Sequence, residues 1–210
     1  RTLCSDPPFG AATLSPGSIG SPASGEITGV HVSSLAATWA LVPTATGYTL
    51  AASLSPDNPP TALVTSSHTI GADNQAYVWG LGADTVYYLF ARANKQYVSG
   101  DWLALGPKAT LLQYPPAFAS FSGVAADSAQ FNYAANGNAF PGTLFRVLVS
   151  TAADPLAPGA AAFSSSDTYN VALTTAGLSA DTTYYFSAAG VNKDGVLTAY
   201  TAVQATATPA

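Results

Sequence analysis

Along most of the chain, apolar side chains occupy every second position for five to seven residues and then give way to turn residues. Tyr48, Leu50 and Ala52 form one such series, and Phe145, Val147 and Val149 form another. A period of two puts one face of a strand in a core and the other toward water, which predicts half-buried antiparallel strands. No segment carries a 3.6-residue apolar stripe of helical length. Ala160-Ala161-Ala162 is too short and sits directly after Pro158-Gly159, so it predicts no helix either. At about seven short strands per hundred residues, the pattern predicts an all-β chain of sandwich type.

The pattern repeats. Leu81-Gly82-Ala83-Asp84-Thr85-Val86-Tyr87-Tyr88 returns 97 positions later as Leu178-Ser179-Ala180-Asp181-Thr182-Thr183-Tyr184-Tyr185. Tyr48-Thr49-Leu50-Ala51-Ala52-Ser53 returns at the same offset as Phe145-Arg146-Val147-Leu148-Val149-Ser150. Ser34-Leu35-Ala36-Ala37-Thr38-Trp39 matches Ser128-Ala129-Gln130-Phe131-Asn132-Tyr133 at 94 positions, so the second copy gains three residues within Asn136–Gly142. A Gly/Pro/Asn segment that absorbs an insertion reads as a surface loop.

These residues resemble the fibronectin type III family. Trp39 stands where that family places a Trp in its second strand. Leu178, Thr182 and Tyr184 fit the spacing of its Leu-x-Pro-x-Thr-x-Tyr signature, and Ala188 and Asn192 fit the strand after it. Leu81, Thr85 and Tyr87 fit the first half of the same pattern. Ala83 and Ala180 replace the signature Pro, Tyr133 replaces the Trp, and Asn94 arrives one residue early. The resemblance covers residues 22 to 210 and implies two tandem fibronectin type III-like (immunoglobulin-like) antiparallel β-sandwiches, spanning 22–112 and 113–210. It implies that each signature Tyr packs at the end of its core with its hydroxyl bonded to upstream backbone, a bond worth about 1 kcal/mol net. Asp84 and Asp181 suit the turn, where a short carboxylate accepts from nearby amides.

Residues 1–21 remain as an N-terminal arm. Ala11–Leu14 resembles Lys108–Leu111 and Gln204–Ala207, the ends of the two modules, so one reading makes the arm the last strand of a preceding repeat. Two others are an arm that adds to a neighbouring copy and one that packs on the first module. The chain contains no Met, so it is expected to be a processed product or a piece of something longer. Asp6, Pro7 and Pro8 interrupt what would be the apolar core of a signal peptide.

Composition narrows the partners. Only 8% of residues are charged against 48% hydrophobic, where soluble domains carry roughly 25% charge. The surface is therefore built from Ser, Thr, Ala, Asn and Gly, which points to an extracellular, secreted or cell-surface setting. Net charge is −5, and the six basic residues Arg1, Arg92, Lys95, Lys108, Arg146 and Lys193 form no stripe, so no nucleic-acid partner is expected. No apolar run approaches the roughly 20 residues needed to span a bilayer, so no membrane insertion is expected. Asn-x-Ser/Thr does not occur.

Candidate chemistry is sparse. His31 and His68 make no ligand pair with another His or Cys, and the carboxylates stand singly in turns, so neither metal nor cofactor is expected. Cys4, the single cysteine, lies on the arm with no basic neighbour except Arg1, so no activated thiolate is expected. Opposed glycosidase carboxylates would need a cleft, and two small sandwiches offer no obvious one. No catalytic residue is assigned. Trp79, Tyr97 and Trp102 flank turns of the first module and serve either core or rim packing or a partner, as aromatics that stack on a sugar or anchor a protein. Ser99-Gly100-Asp101 and Lys193-Asp194-Gly195 sit before each last strand, where some family members bind integrins, but neither contains Arg-Gly-Asp. The expectation is a non-enzymatic structural or adhesive protein that associates with copies of itself or further repeats in a coat or filament. The alternatives are an accessory spacer or binding module of a secreted polysaccharide-degrading enzyme, and a receptor fragment with a protein or glycan ligand.

Overall fold

The computed structural model describes residues 19–160 and 162–210. The first module contains β1 (Gly25–Val30), β2 (Ser34–Trp39), β3 (Gly47–Ser53), β4 (Leu63–His68), β5 (Gln75–Trp79), β6 (Val86–Lys95), β7 (Val98–Ser99) and β8 (Leu103–Ala109). The second contains β9 (Ala117–Ser122), β10 (Ser128–Ala134), β11 (Leu144–Ser150), β12 (Ala162–Thr168), β13 (Ala172–Ala176), β14 (Thr183–Val191) and β15 (Gln204–Ala207). There is no helix among the described residues.

Each module is two antiparallel sheets. In the first, β1-β2-β5 faces β4-β3-β6, with β7 and β8 both paired to the free side of β6. In the second, β13-β10-β9 faces β12-β11-β14-β15. The alternation read from the sequence is the alternation of the cores. Leu35, Ala37, Trp39, Tyr48, Leu50, Ala52, Leu89 and Ala91 fill the first, and Phe131, Tyr133, Phe145, Val147, Val149 and Phe186 fill the second. Ile19, within the segment assigned to the arm, also packs into the first core. Gly100 lies under that stretch, and a Cβ there would meet the Gly20 carbonyl oxygen at 2.5 Å. Cys4 and the match at Ala11–Leu14 lie outside the described residues.

Tyr133 differs from Trp39 in more than size. Its hydroxyl donates to the Asn170 carbonyl at 2.8 Å, and burial pushes its pKa up to about 12. The indole Nε1 of Trp39 is buried with no hydrogen-bond partner among the described residues.

The two signature segments form the same corner. The Gly82 amide donates to the Tyr87 hydroxyl at 2.8 Å, and the Ser179 amide donates to the Tyr184 hydroxyl at 2.9 Å. A threonine just past the last strand closes each corner. Thr110 Oγ1 donates to the Gly82 carbonyl and accepts from the Thr85 amide, and Thr208 repeats both bonds with Ser179 and Thr182. Asp84 and Asp181 occupy left-handed backbone, with φ of 45° and 51°. Asp tolerates that region better than most residues, and this explains its place in the turn. The expectation that Asp84 caps its own turn is corrected, because its carboxylate accepts from the Lys193 amide of the other module.

Tyr87→Phe and Tyr184→Phe each strip a partly buried amide of its acceptor. Each is expected to destabilise its own module by about 1–3 kcal/mol, read as a lower urea midpoint for that module's transition while the other module is unchanged.

Candidate functional site

The residues that do most beyond holding a core lie where the modules meet. After β14 the chain turns through Asn192-Lys193-Asp194-Gly195, held by Asn192 Oδ1, which accepts from the amides of Asp194 at 3.0 Å and Val196 at 2.7 Å. This self-supporting turn presents polar groups to the corner of the first module. Asn192 Nδ2 donates to the Thr110 carbonyl at 3.1 Å. The Lys193 amide donates to Asp84 Oδ1 at 2.9 Å. Asp194 Oδ2 accepts from the Ala109 amide at 3.0 Å and stands 3.2 Å from Lys108 Nζ. The ion pair is partly exposed and contributes little, about 0–1 kcal/mol. The three hydrogen bonds carry the orientation, because each ends on a group fixed by the closed corner.

The inserted loop of the second module grips the same place. Asn138 is buried, donates from Nδ2 to the carbonyls of Tyr114 and Ala135, and accepts at Oδ1 from the Gln113 amide. Asn136 Nδ2 donates to the Pro115 carbonyl at 2.8 Å. The insertion therefore clamps the linker instead of standing free in solvent. Leu112 closes the seam against Gly190, where a Cβ would meet Leu112 Cδ1 at 2.7 Å.

The junction also has the cleft that the sequence did not promise. A cavity of about 440 Å³ is lined by Asp84, Leu144, Arg146, Asp167, Tyr169 and Lys193, among others. Its two carboxylates have opposite environments. Burial pushes the Asp84 pKa up, against the opposing pull of the Lys193 amide and charge. Asp167 is held below the usual carboxylate range by the fork of Arg146, whose Nε and Nη2 donate at 2.7 and 2.8 Å. Each carboxylate already accepts a hydrogen bond, Asp84 from the Lys193 amide and Asp167 from the Arg146 fork. No group of three or more His, Cys, Asp or Glu side chains among the described residues could hold a metal ion.

The three aromatics singled out from the sequence do not converge. Trp79 is 62% exposed on β5 and stacks on Tyr77 with ring centroids 5.4 Å apart, and His31 lies beside Tyr77 at 6.3 Å. Tyr97 is fully exposed in the β6–β7 turn. Trp102 is half-buried, with the Arg92 guanidinium 4.3 Å above its ring and the edge of Phe90 at 6.5 Å. Trp79 thus belongs to one sheet of the sandwich, and Tyr97 and Trp102 to the other. Sequence reasoning passed over Tyr77 and Arg92. The i, i+2 spacing of Tyr77 and Trp79 on one strand was the available signal for the first, and nothing local pointed to the second.

No family model matches the chain, and no curated protein matches it in sequence. Solved structures do match. The two fibronectin type III domain segment from chicken tenascin aligns over 89% of this chain and 97% of its own, at 16% identity and a TM-score of 0.50. Chicken CNTN1 FN1-FN3 domains align over 92% of this chain and 67% of their own, at 13% identity and a TM-score of 0.45. The fold is that of two tandem fibronectin type III modules.

Asp194→Ala removes the acceptor for Ala109 and the partner of Lys108, and is expected to loosen the junction, seen as a broader distribution of maximum dimension in small-angle X-ray scattering. Asp84→Asn keeps an oxygen for the Lys193 amide without the desolvated charge, and is expected to leave that distribution unchanged. For Asp167 the folded pKa is depressed, so the fork's contribution to stability is present above the ordinary carboxylate pKa and is lost as pH falls through the folded value. A carboxyl NMR titration should place Asp167 below a solvated Asp and return it to the ordinary range in Arg146→Gln.

Proposed function

We propose that this chain is a non-enzymatic extracellular structural or adhesive protein whose two modules act as one stiff unit, a building block of a surface coat or filament. What supports the reading is the junction. Three hydrogen bonds from the Asn192–Asp194 turn, the Asn138 clamp on the linker and the Leu112–Gly190 contact all restrain the hinge between the modules. A flexible pair would need none of them. Tandem domains are mobile by default unless their interface is extensive, so a chain that commits this many contacts to one orientation is suited to bearing shape or load.

The surface fits close packing against copies of itself. With 8% charged residues, little repulsion opposes association. The edge strand β4, Leu63-Val64-Thr65-Ser66-Ser67-His68, has no Lys, Arg or Pro to block pairing, and Leu63 and Val64 are exposed on it. Natural sheets usually guard such an edge. Charge-poor surfaces rich in Ser and Thr also suit an extracellular setting better than a Lys-rich cytosolic one.

Sedimentation velocity over a wide concentration range is expected to show reversible growth beyond the monomer, with extended particles in negative-stain electron microscopy. Val64→Lys places a charge on the β4 edge and is expected to shift the distribution toward monomer while leaving the melting temperature close to that of the parent. A chain that sediments as a monomer at every concentration would rule out the self-assembling role.

A further inference from the structure

The two modules differ in one row of side chains on the outer face of the larger sheet. In the second module the row runs across three strands as Asp167, Arg146 and Ala189, in register on β12, β11 and β14. Arg146 and Asp167 close on each other in a two-bond fork, so that row is neutral and satisfied. The equivalent row of the first module runs as His68, Thr49 and Arg92 on β4, β3 and β6. The arginine has moved from the central strand to its neighbour, and the carboxylate has become a histidine. Thr49 takes up the histidine instead, with Oγ1 at 2.9 Å from His68 Nδ1 while accepting from Asn94 Nδ2 at 2.8 Å. Arg92 is left as a cation whose own row supplies no anion.

Its surroundings make it a receptor group. Arg92 forms no side-chain hydrogen bond or ion pair with any described residue, and its Nε is buried without a partner. The Trp102 ring, seated on Phe90, holds the guanidinium in place at 4.3 Å. A stacked guanidinium keeps the in-plane N–H groups of its terminal nitrogens free for an acceptor, because the ring uses only its face. The rest of the wall is fixed as well, since Asn58 Nδ2 donates to the Trp102 carbonyl at 3.1 Å and so ties the β3–β4 loop to the segment before β8. Together Asn58, Pro59, Arg92, Gly100, Asp101 and Trp102 line an open cleft of about 450 Å³.

We infer that this cleft binds an acidic sugar, a hexuronate unit of a polysaccharide, with Arg92 pairing its carboxylate and Asp101 and Asn58 engaging its hydroxyls. The argument rests on the mixture of groups. A bidentate guanidinium selects a planar carboxylate. Asp101, which forms no ion pair with Arg92, repels a ligand that carries only negative charge but accepts hydrogens from hydroxyl groups. The exposed ring of Pro59 offers apolar wall to the C–H face of a pyranose beside the Arg92–Trp102 stack. A purely acidic peptide uses the cation and is opposed by the carboxylate, whereas a hydroxylated acid uses both.

The test uses the full chain labelled with nitrogen-15, titrated with oligogalacturonate, with the methyl ester of the same oligomer, and with a glutamate oligopeptide. The oligogalacturonate is expected to shift the Trp102 indole N–H and the Arg92 Nε–H resonances, and neither of the other two should do so at equal concentration. Arg92→Gln should abolish the Trp102 shift. Arg92→Lys, which keeps charge but loses the fork, should weaken binding by about tenfold or more, and Arg146→Gln should bind as the parent does. Equal shifts with the ester would make the site a neutral-sugar platform, and equal shifts with the peptide would make it an acidic-peptide site. Either result overturns the inference, as does silence of both resonances with oligogalacturonate. Because the ligand series is read on the unmodified chain, the outcome stands even if an Arg92 variant folds poorly. It is also independent of whether the chain self-assembles.

Discussion

The Thr110 hydroxyl donates to the Gly82 carbonyl at 2.6 Å and accepts from the Thr85 amide at 3.1 Å, closing the corner whose tyrosine, Tyr87, takes the Gly82 amide. Much else in the molecule depends on that closure. It positions β8 against β6, holds Asp84 in left-handed backbone facing outward, and leaves the Thr110 carbonyl and the Ala109 amide available on the module's end. Those two backbone groups, with the Asp84 carboxylate, form the surface on which the second module sits. One corner thus serves two levels of structure. It completes a core on one side and supplies a rigid docking face on the other.

Low charge shapes how that docking is achieved. A chain with six basic and eleven acidic residues can form few ion pairs, and the described residues contain two, Lys108–Asp194 and Arg146–Asp167. Orientation is therefore carried mainly by single polar side chains acting on backbone, Asn192 on Thr110, Asp194 on Ala109 and Asp84 on Lys193, with Asn138 holding the linker at Tyr114. The bonds from Asn192 and Asn138 are between neutral groups and so are little affected by salt, in contrast to exposed ion pairs. They also demand close placement, since an amide that misses its carbonyl loses the bond and retains the desolvation cost. The buried state of Asn138 and the close approach of Leu112 to Gly190 are the packing that meets this demand.

Among the described residues, Arg92 is the charged side chain whose buried nitrogen has no hydrogen-bond partner. Arg146, one strand over in the matching row of the other module, shows how the fold neutralises such a residue when it is only structural. In the first module the neutralising carboxylate is absent from the row, and a tryptophan holds the guanidinium open to a cleft. Duplicated modules allow this kind of divergence, because one copy can keep the paired arrangement while the other departs from it.

Fold and module number were legible in the sequence because both rest on local or periodic signals. Alternation at Tyr48, Leu50 and Ala52 follows from the two-residue pleat of a strand. The corner from Leu81 to Tyr88 contains its own turn, its tyrosine and the amide that tyrosine accepts. Asp84 shows where this reach ends: its position in a turn was evident, but its partner, the Lys193 amide, lies 109 residues away. Likewise the insertion at Asn136–Gly142 looked like a tolerated loop and proved to be a clamp, since nothing local indicates that the linker passes beneath it. The cleft between Asp84 and Asp167, and the pairing of Arg92 with Trp102 rather than with a carboxylate, depend on strand register and on how two modules are set against each other. The sequence by itself determined the strands, the corners and their number, through steric and hydrogen-bonding rules that act within a few residues. Tertiary structure alone decided which polar groups meet, because electrostatic and hydrogen-bond partners are chosen by distance in space, and that distance is set only once the sheets and the junction have formed.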